Sequence, residues 1–427
     1  MNELILAISD PGALDPDRVG PKAANLAALT HAGFPTPGGF CVTADAYRLQ
    51  VREAGLEAAA LRFKDADIAE SRRISVDMRL GLYEHPISPL ILEPALEAWR
   101  RQRRDCGALG VVRSSALIED RAGANFAGQF ESFLGLSSEE EFVTALRACW
   151  AALWTTNVRR YMSRNDLSPG DTAMSVLIQP LVSARASGGG LSQTAQGEML
   201  ISATWGLGTA IAQGEVVPDR VVVTRDLVIR EAQAGRKHHG DHCHHGGESR
   251  PEAVPKELVG ELCLSQTQSL EIGRHLIKAE QMMGCPVEIE WAMDDAGIKL
   301  LQVRPLSLQE ATVPDEIWND RPGLRGHPGG VGWGVGRATV IECECQLSAV
   351  APGDILVTRV AGPALSHVLP QVSGVVAELG GSTSHLASLA RERGIPMVLG
   401  VLDATRKIPN GSQVAVDGIA GIVRWIR

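Results

Sequence analysis

The chain has 427 residues, enough for two or three domains. Hydrophobic residues make up 44% and charged residues 21%, ordinary values for a globular protein. A formal charge of -9 with no visible basic patch, and only 4% aromatics on which bases could stack, argue against a nucleic-acid partner. No apolar run approaches the length needed to span a bilayer, so no membrane partner is expected. The opening MNELILAISDPGALDPDR lacks the basic n-region and apolar core of a secretory signal, so the expected location is cytoplasmic. The eight cysteines are scattered, apart from the C-x-C pair Cys343 and Cys345. Buried thiols are expected rather than a disulfide framework.

The pattern predicts a mixed α/β (α+β) protein with a first region at 1–308, a linker at 309–322 and a small α/β region at 323–427. The linker, within LSLQEATVPDEIWNDRPGLRG, has two prolines, several acids and no periodicity. In the first region, Gly20-Pro21-Lys22 opens an apolar-periodic helix, and Pro suits a first helical position. A lysine at the positive end of a helix dipole is electrostatically odd. A phosphate beside Lys22 would resolve the conflict; a lysine in water is the plainer alternative. VVRSSALIED then reads as a strand delivering Arg113, whose forked donors suit phosphate oxygens. Ala127-Gly128 lies in a small-residue loop that lets backbone N–H groups approach phosphates. ATWGLGTAIAQGE, with Gly206, Gly208 and Gly214, reads as a loop packed closely on a ligand or a helix.

PVEIEWAMDDAGIKLLQVRP reads as a hairpin closed by Asp295-Ala296-Gly297. Alternation puts Glu288 and Glu290 on one face of its first strand, with Val287, Ile289 and Trp291 on the other. The expected register sets Glu290 opposite Gln302 and Glu288 opposite Arg304. Carboxylates and an amide oxygen on one face suit Mg²⁺ bound to nucleotide phosphates; a solvated face with a cross-strand ion pair is the alternative. In the second region, strands are expected at DILVT and GVVAEL, with a terminal pair around QVAVDGIAGIVRWI. GVVAELGGSTSHLASLARERGIP places Gly380-Gly381, Ser382, Thr383 and Ser384 ahead of a helix that opens at His385. Helix-start N–H groups would stabilise a phosphoryl group on that ring. The dipole favours a neutral, nucleophilic imidazole.

Taken together these segments resemble the phosphoenolpyruvate synthase and pyruvate phosphate dikinase family. The matching stretches are GPKAANLAALTHAGFPTPGGF, VVRSSALIEDRAGANFAGQFESFL, CWAALWTTNVRRY, WGLGTAIAQGEVVPDR, EIEWAMDDAGIKLLQVRP and GGSTSHLASLARERGIPMVLG. They occur in the family's order and cover nearly the whole chain. The resemblance implies an N-terminal ATP-grasp domain joined to a swivelling phosphohistidine domain. It implies that Lys22 and Arg113 contact ATP, with Gly128, Glu288, Arg304 and Thr383 around the nucleotide and phosphoryl group. It implies that Glu290 and Gln302 hold Mg²⁺, and that His385 takes a phosphoryl group, usually the β-phosphoryl, leaving AMP and phosphate. Departures are Pro21 for a glycine, Thr209 for an acid, Glu288 for an aspartate, and GGGLSQT where GVMFT is usual. The family's phosphoenolpyruvate-binding barrel would follow the histidine domain. The expected acceptor site is therefore a small crevice between the two domains, for a small molecule, or lies on a partner subunit.

The patch His238, His239, His242, Cys243, His244 and His245 has metal-like spacing, but reads as a mobile loop with at most adventitious metal. Lys237 beside it is a weaker phosphate candidate. Ser265 and Gln268 form an expected capping box, and His327 and His367 are taken as structural.

Overall fold

The computed structural model describes residues 3–63, 66–119, 130, 132–155, 158–159, 162, 168–194, 196–243, 249–306 and 323–426. Gly128, His244, His245 and the 309–322 linker lie outside the described residues. Two compact units form. The first holds Met1–Ser183, Cys243–Arg250 and Lys299–Arg304; the second holds Ala184–His242, Pro251–Ile298 and Pro305–Arg427. Helices and several sheets alternate along the chain, the mixed α/β class expected from the sequence.

The first unit carries β1 (Ile5–Ala7), α1 (Pro16–His31), β2 (Phe40–Val42), α2 (Ala44–Glu53), α3 (Glu57–Arg62), α4 (Ile68–Glu84), α5 (Pro89–Cys106), β3 (Gly110–Ala116), β4 (Ser132–Leu136), α6 (Glu139–Ala152) and β5 (Met174–Pro180). Its sheet runs β1-β2-β5-β3-β4, every neighbour antiparallel. The core gathers Trp99, Phe142, Trp150 and Trp154, with Trp99 stacked on Phe142 at 4.8 Å between ring centroids. α1 begins one turn before the expected start. It breaks at Gly20 (φ 75°), so Pro21 starts a second helical run. That positive φ needs glycine, and a Cβ there would stand 2.3 Å from the Ser115 carbonyl oxygen.

In the second unit, β6 (Ala186–Leu191), β7 (Met199–Trp205), α7 (Thr209–Ala212), β8 (Asp219–Val223) and β9 (Ile229–Gln233) precede the hairpin β10 (His239–Cys243) and β11 (Ser249–Ala253), of which Cys243, Ser249 and Arg250 belong to the first unit. The histidine patch thus enters on a strand, where a loop was expected. Then come α8 (Gln266–Met283) and β12 (Val287–Asp294). Strands β12, β6, β7, β8 and β9 lie side by side in that order. α8 has the expected Ser265–Gln268 capping box and ends at Gly284 (φ 69°). After Asp295 and Ala296 the chain enters β13 (Gly297–Pro305), with Gly297 at φ 117°. Residues 299–304 of β13 belong to the first unit.

The remaining strands are β14 (Gly323–Arg325), β15 (His327–Gly330), β16 (Trp333–Ile341), β17 (Ile355–Thr358), β18 (Gly374–Ala377), β19 (Met397–Leu399), β20 (Gln413–Asp417) and β21 (Ile422–Ile426). They form an eight-stranded sheet, β14-β21-β20-β16-β17-β18-β19-β15. Its helices are α9 (His385–Glu392) and α10 (Ala404–Lys407). Strands β16 to β19 are parallel neighbours, and β17 and β18 are buried at every position. Buried parallel strands read as continuous apolar runs, which is how DILVT and GVVAEL declare themselves. Cys343 and Cys345 are joined by a disulfide, against the expectation of thiols. The C-x-C spacing brings their Cα atoms to 5.3 Å, within bridging range. Cys41, Cys149 and Cys263 are buried thiols as expected, while Cys106 is exposed.

Candidate active site

In the first unit, α1 gathers the candidate nucleotide residues. Lys22 Nζ donates to the Ser114 carbonyl oxygen at 2.7 Å and pairs with Glu119 Oε1 at 3.3 Å. The charge conflict at this helix start is answered by a carboxylate on the same unit. Ser115 Oγ accepts from Ala23 N in the first turn after the kink. Arg113 precedes Ser114 on β3, half-buried, level with Leu177 of β5. One turn beyond Lys22, Asn25 Nδ2 donates to the Val303 carbonyl oxygen at 3.1 Å. Val303 separates Gln302 and Arg304, both buried. From α1, Lys22 and Asn25 thus bond to the backbone beside Arg113, Gln302 and Arg304, all in one unit. Asn25 and Glu119 were not singled out from the sequence, because their partners lie 278 and 97 residues away.

In the second unit, β12 alternates as predicted, with Val287, Ile289 and Trp291 buried on one face. Glu288 and Glu290 share the other. Cross-strand partners in an antiparallel pair share a face. Glu290 is level with Gly189 of β6, and Gly189 with Ser202 of β7. Glu288, Glu290, Gly189, Ser202 and Thr204 thus point the same way. A Cβ built on Gly189 would stand 2.6 Å from Thr383 Cβ, so the turn before α9 lies on this face of the sheet. Arg391, near the end of α9, pairs with Glu288 at 3.0 Å and also donates to the carbonyl oxygens of Ser382 and Gly329. Both members of the pair are buried.

His385 is the first residue of α9 and is half-buried. Ser384 caps the helix by accepting from Ala387 N at 3.2 Å. Ser382 Oγ and Thr383 Oγ1 are buried and make no hydrogen bond among the described residues, and the same is true of Ser202 Oγ and Thr204 Oγ1. Buried hydroxyls are ordinarily satisfied. Ser202, Thr204 and Thr383 place three of these hydroxyls at one face of the sheet. Arg391, Gly189, Ser202 and Thr204 were missed from the sequence. The one local signal was two hydroxyl residues at period two in the apolar strand MLISATW.

Lys237, a weak phosphate candidate, is fully buried and paired with Asp219. Asp219 also accepts from Gly235 N and Cys263 N. Burial, with Asp219 adding to it, pushes the Cys263 thiol up. This group holds the β8 end together. His239 Nε2 lies 3.2 Å from Glu215 Oε2. Among the described residues no cluster of three or more His, Cys, Asp or Glu side chains is arranged for a metal ion. No helix among them is long and apolar enough to cross a membrane.

Residues 16–321 match the family described as pyruvate phosphate dikinase, AMP/ATP-binding domain, and residues 350–421 match the PEP-utilising enzyme, mobile domain. Phosphoenolpyruvate synthase of Aeropyrum pernix is 33% identical over 457 residues, covering 95% of this chain and 56% of the relative. A probable phosphoenolpyruvate synthase of Methanothermobacter thermautotrophicus is 30% identical over 436 residues, covering 99% and 64%. Phosphoenolpyruvate synthase of Escherichia coli is 28% identical over 454 residues, covering 99% and 57%. The chain spans a little over half the length of these relatives.

Proposed function

From the premise that the chain belongs to the pyruvate phosphate dikinase family, we propose that it is an ATP-dependent phosphotransferase carrying a phosphoryl group on His385 from MgATP to an acceptor. In this reading residues 1–308 bind the nucleotide, 309–322 link, and 323–427 form the mobile phosphohistidine domain. The acceptor is a small molecule, bound by this chain or by a partner subunit.

The observation that carries the proposal is the pair of buried hydroxyls at Ser382 and Thr383, in the turn that leads to His385, which make no hydrogen bond among the described residues. An unsatisfied buried polar group costs about 1–3 kcal/mol, which incoming phosphoryl oxygens would recover. A ring nitrogen of His385 attacks phosphorus. The N–P bond forms as a P–O bond breaks, and the electron pair leaves on the nucleotide oxygen. Following the family, the attack falls on the β-phosphorus and AMP leaves, and water then cleaves the terminal P–O–P bond, so that the overall products are AMP and phosphate and one phosphoryl group stays on His385. The helix-start N–H groups and the two hydroxyls hold the oxygens of the phosphoryl group. Lys22 and Arg113 offset the negative charge of ATP, with Arg304 and the backbone at Gly128 in support.

Bound Mg²⁺ would neutralise phosphate charge, and Glu290 and Gln302 supply the oxygen donors it prefers. Arg391 neutralises Glu288, so that carboxylate supports the histidine helix from the sheet.

Intact-protein mass after incubation with MgATP alone, beside His385→Ala, tests the proposal, with nucleotide products separated. A phosphoryl adduct on the wild type only, with AMP released, is expected. Unmodified wild type with intact ATP sinks it.

A further inference from the structure

Toward the β8–β9 edge of the face that carries Glu290, where Arg220 lies across from Ser202, the second unit has a cavity of about 340 Å³. Its wall takes Val217 and Arg220 from around the start of β8, Glu231 from β9, Arg236 beyond β9, Arg325 of β14 and His327 of β15. The charges are unequal. Arg220 is engaged with Glu231 at 2.5 Å. Arg236 and Arg325 are exposed and have no ion pair among the described residues, which leaves two positive charges at the mouth. Deeper in, His327 is only 6% exposed, and its Nδ1 makes no hydrogen bond among the described residues; the same holds for Arg220 Nε. Gly400 stands beside the imidazole, where a Cβ would lie 2.8 Å from Cδ2. The ring is thus fixed by backbone on that side.

A cavity of this size holds a small organic molecule rather than a lone ion. Two unpaired guanidinium groups match a doubly charged anion, and their forked donors fit phosphate oxygens. The polar atoms that lack partners lie on its walls, where a protein that used the cavity only as packing would have filled or satisfied them.

We propose that this cavity is a second ligand site, separate from the phosphoryl-transfer site, that takes a small phosphate monoester. Arg236 and Arg325 grip the phosphate at the mouth, and the organic part occupies the space toward His327 and Val217. The proposal rests on that reading's docked arrangement, in which Arg220, Glu231 and Arg236 of the nucleotide-binding region meet Arg325 and His327 of the mobile domain, although none of these residues takes part in phosphoryl transfer.

Calorimetric titration of the full chain at fixed ionic strength tests it, with glycerol 3-phosphate as the probe. Succinate and glycerol serve as the dicarboxylate and uncharged comparisons. The variants are the Arg236→Gln/Arg325→Gln pair, exposed positions whose loss leaves the fold intact, and Lys22→Gln as a control at the nucleotide site. The expected result is saturable binding of glycerol 3-phosphate, weakened about tenfold or more in the double variant and unchanged in Lys22→Gln. Glycerol should not bind, and succinate should bind more weakly. No binding to the wild type, equal binding to the double variant, loss in Lys22→Gln, or a preference for succinate would each overturn the assignment.

Discussion

Gly189→Ala is the sharpest perturbation of the contact between the histidine turn and the sheet. Gly189 does not have a positive φ, so alanine is permitted by the backbone. The new Cβ would lie 2.6 Å from Thr383 Cβ, 2.7 Å from Cγ2 and 3.0 Å from Oγ1. Carbon atoms settle at about 3.5–4.0 Å, so the turn must retreat by roughly 1 Å. Overpacking of this kind costs about 1–3 kcal/mol, which corresponds to roughly a 5–150-fold change in the docked population. The rate of His385 phosphorylation by MgATP, followed by quenched-flow mass spectrometry, should fall by that factor. Affinity for the nucleotide, measured separately, should stay within about twofold, since the three atoms nearest the methyl group all belong to Thr383. The cause is isolated by a double-mutant cycle with Thr383→Gly, which removes all three clashing atoms. Gly189→Ala should then cost far less than it does in the wild type. An equal penalty in both backgrounds would refute the steric reasoning, and an undiminished rate in Gly189→Ala would refute the docking itself.

Three further outcomes follow from particular contacts. Asp219→Asn leaves the Lys237 charge buried without its counter-ion, and should destabilise the protein by about 3–5 kcal/mol, read from urea midpoints. Lys22→Met removes the cation beside Glu119, which is 5% exposed; it should lower stability by roughly 1–3 kcal/mol and weaken MgATP binding. Adding Glu119→Gln should restore the stability but not the nucleotide affinity, which separates the two roles of the lysine. Burial, with help from Arg220, pushes the His327 pKa down to about 4, and Arg236, Arg325 and Glu231 line the same cavity. The unfolded chain takes up this proton from about pH 6.5 downward while the folded one does not. Stability is therefore complete above pH 6.5 and drains as the pH falls toward 4, by roughly 2 kcal/mol at pH 5. Urea midpoints at pH 7 and pH 5 should differ less in His327→Gln than in the wild type, and parallel profiles would contradict the assignment.

Alternation was the part of the site most legible in the sequence. VEIEW assigned Glu288 and Glu290 to one face with no knowledge of what lay opposite, because side-chain direction in a strand is set by the backbone alone. The helix start at His385 was equally legible, since Ser384 as cap and Gly394 as terminator act over a few residues. Partners distant in sequence were not. Lys22 suggested a missing anion, and nothing local showed that Glu119 supplies one. Lys237 looked like a phosphate contact because no pattern predicts that Asp219, 18 residues earlier, would bury it. The cysteine expectation failed for a local reason. Composition argues about frameworks of disulfides, whereas a C-x-C bridge needs only a chain segment that brings two Cα atoms within reach.

Two of the departures from the family's usual residues are physically connected. The run GGGLSQT replaces a stretch that usually carries larger side chains, and its middle glycine is where Thr383 comes against the sheet. Glu288 replaces an aspartate, and its carboxylate meets Arg391 at 3.0 Å. One change removes bulk beneath the turn before His385; the other extends an acid toward the helix that follows it. Each would be of little use alone. A bulky residue at 189 would hold the turn off the strand however far Glu288 reached. A bare glycine floor would deny buried Arg391 the Glu288 carboxylate, and losing one member of a buried ion pair costs about 3–5 kcal/mol. Paired, they favour the docked arrangement of the histidine helix on the face that carries Glu290. The affinity of that docking then has a ceiling, because a histidine that must leave to reach an acceptor cannot be held too tightly. Glu288→Asp, which shortens the reach by one methylene, should weaken docking without unfolding the helix. It should slow phosphorylation of His385 and speed delivery from the phosphorylated form. If both half-reactions slow together, Glu288 acts on the chemistry and not on the docking equilibrium.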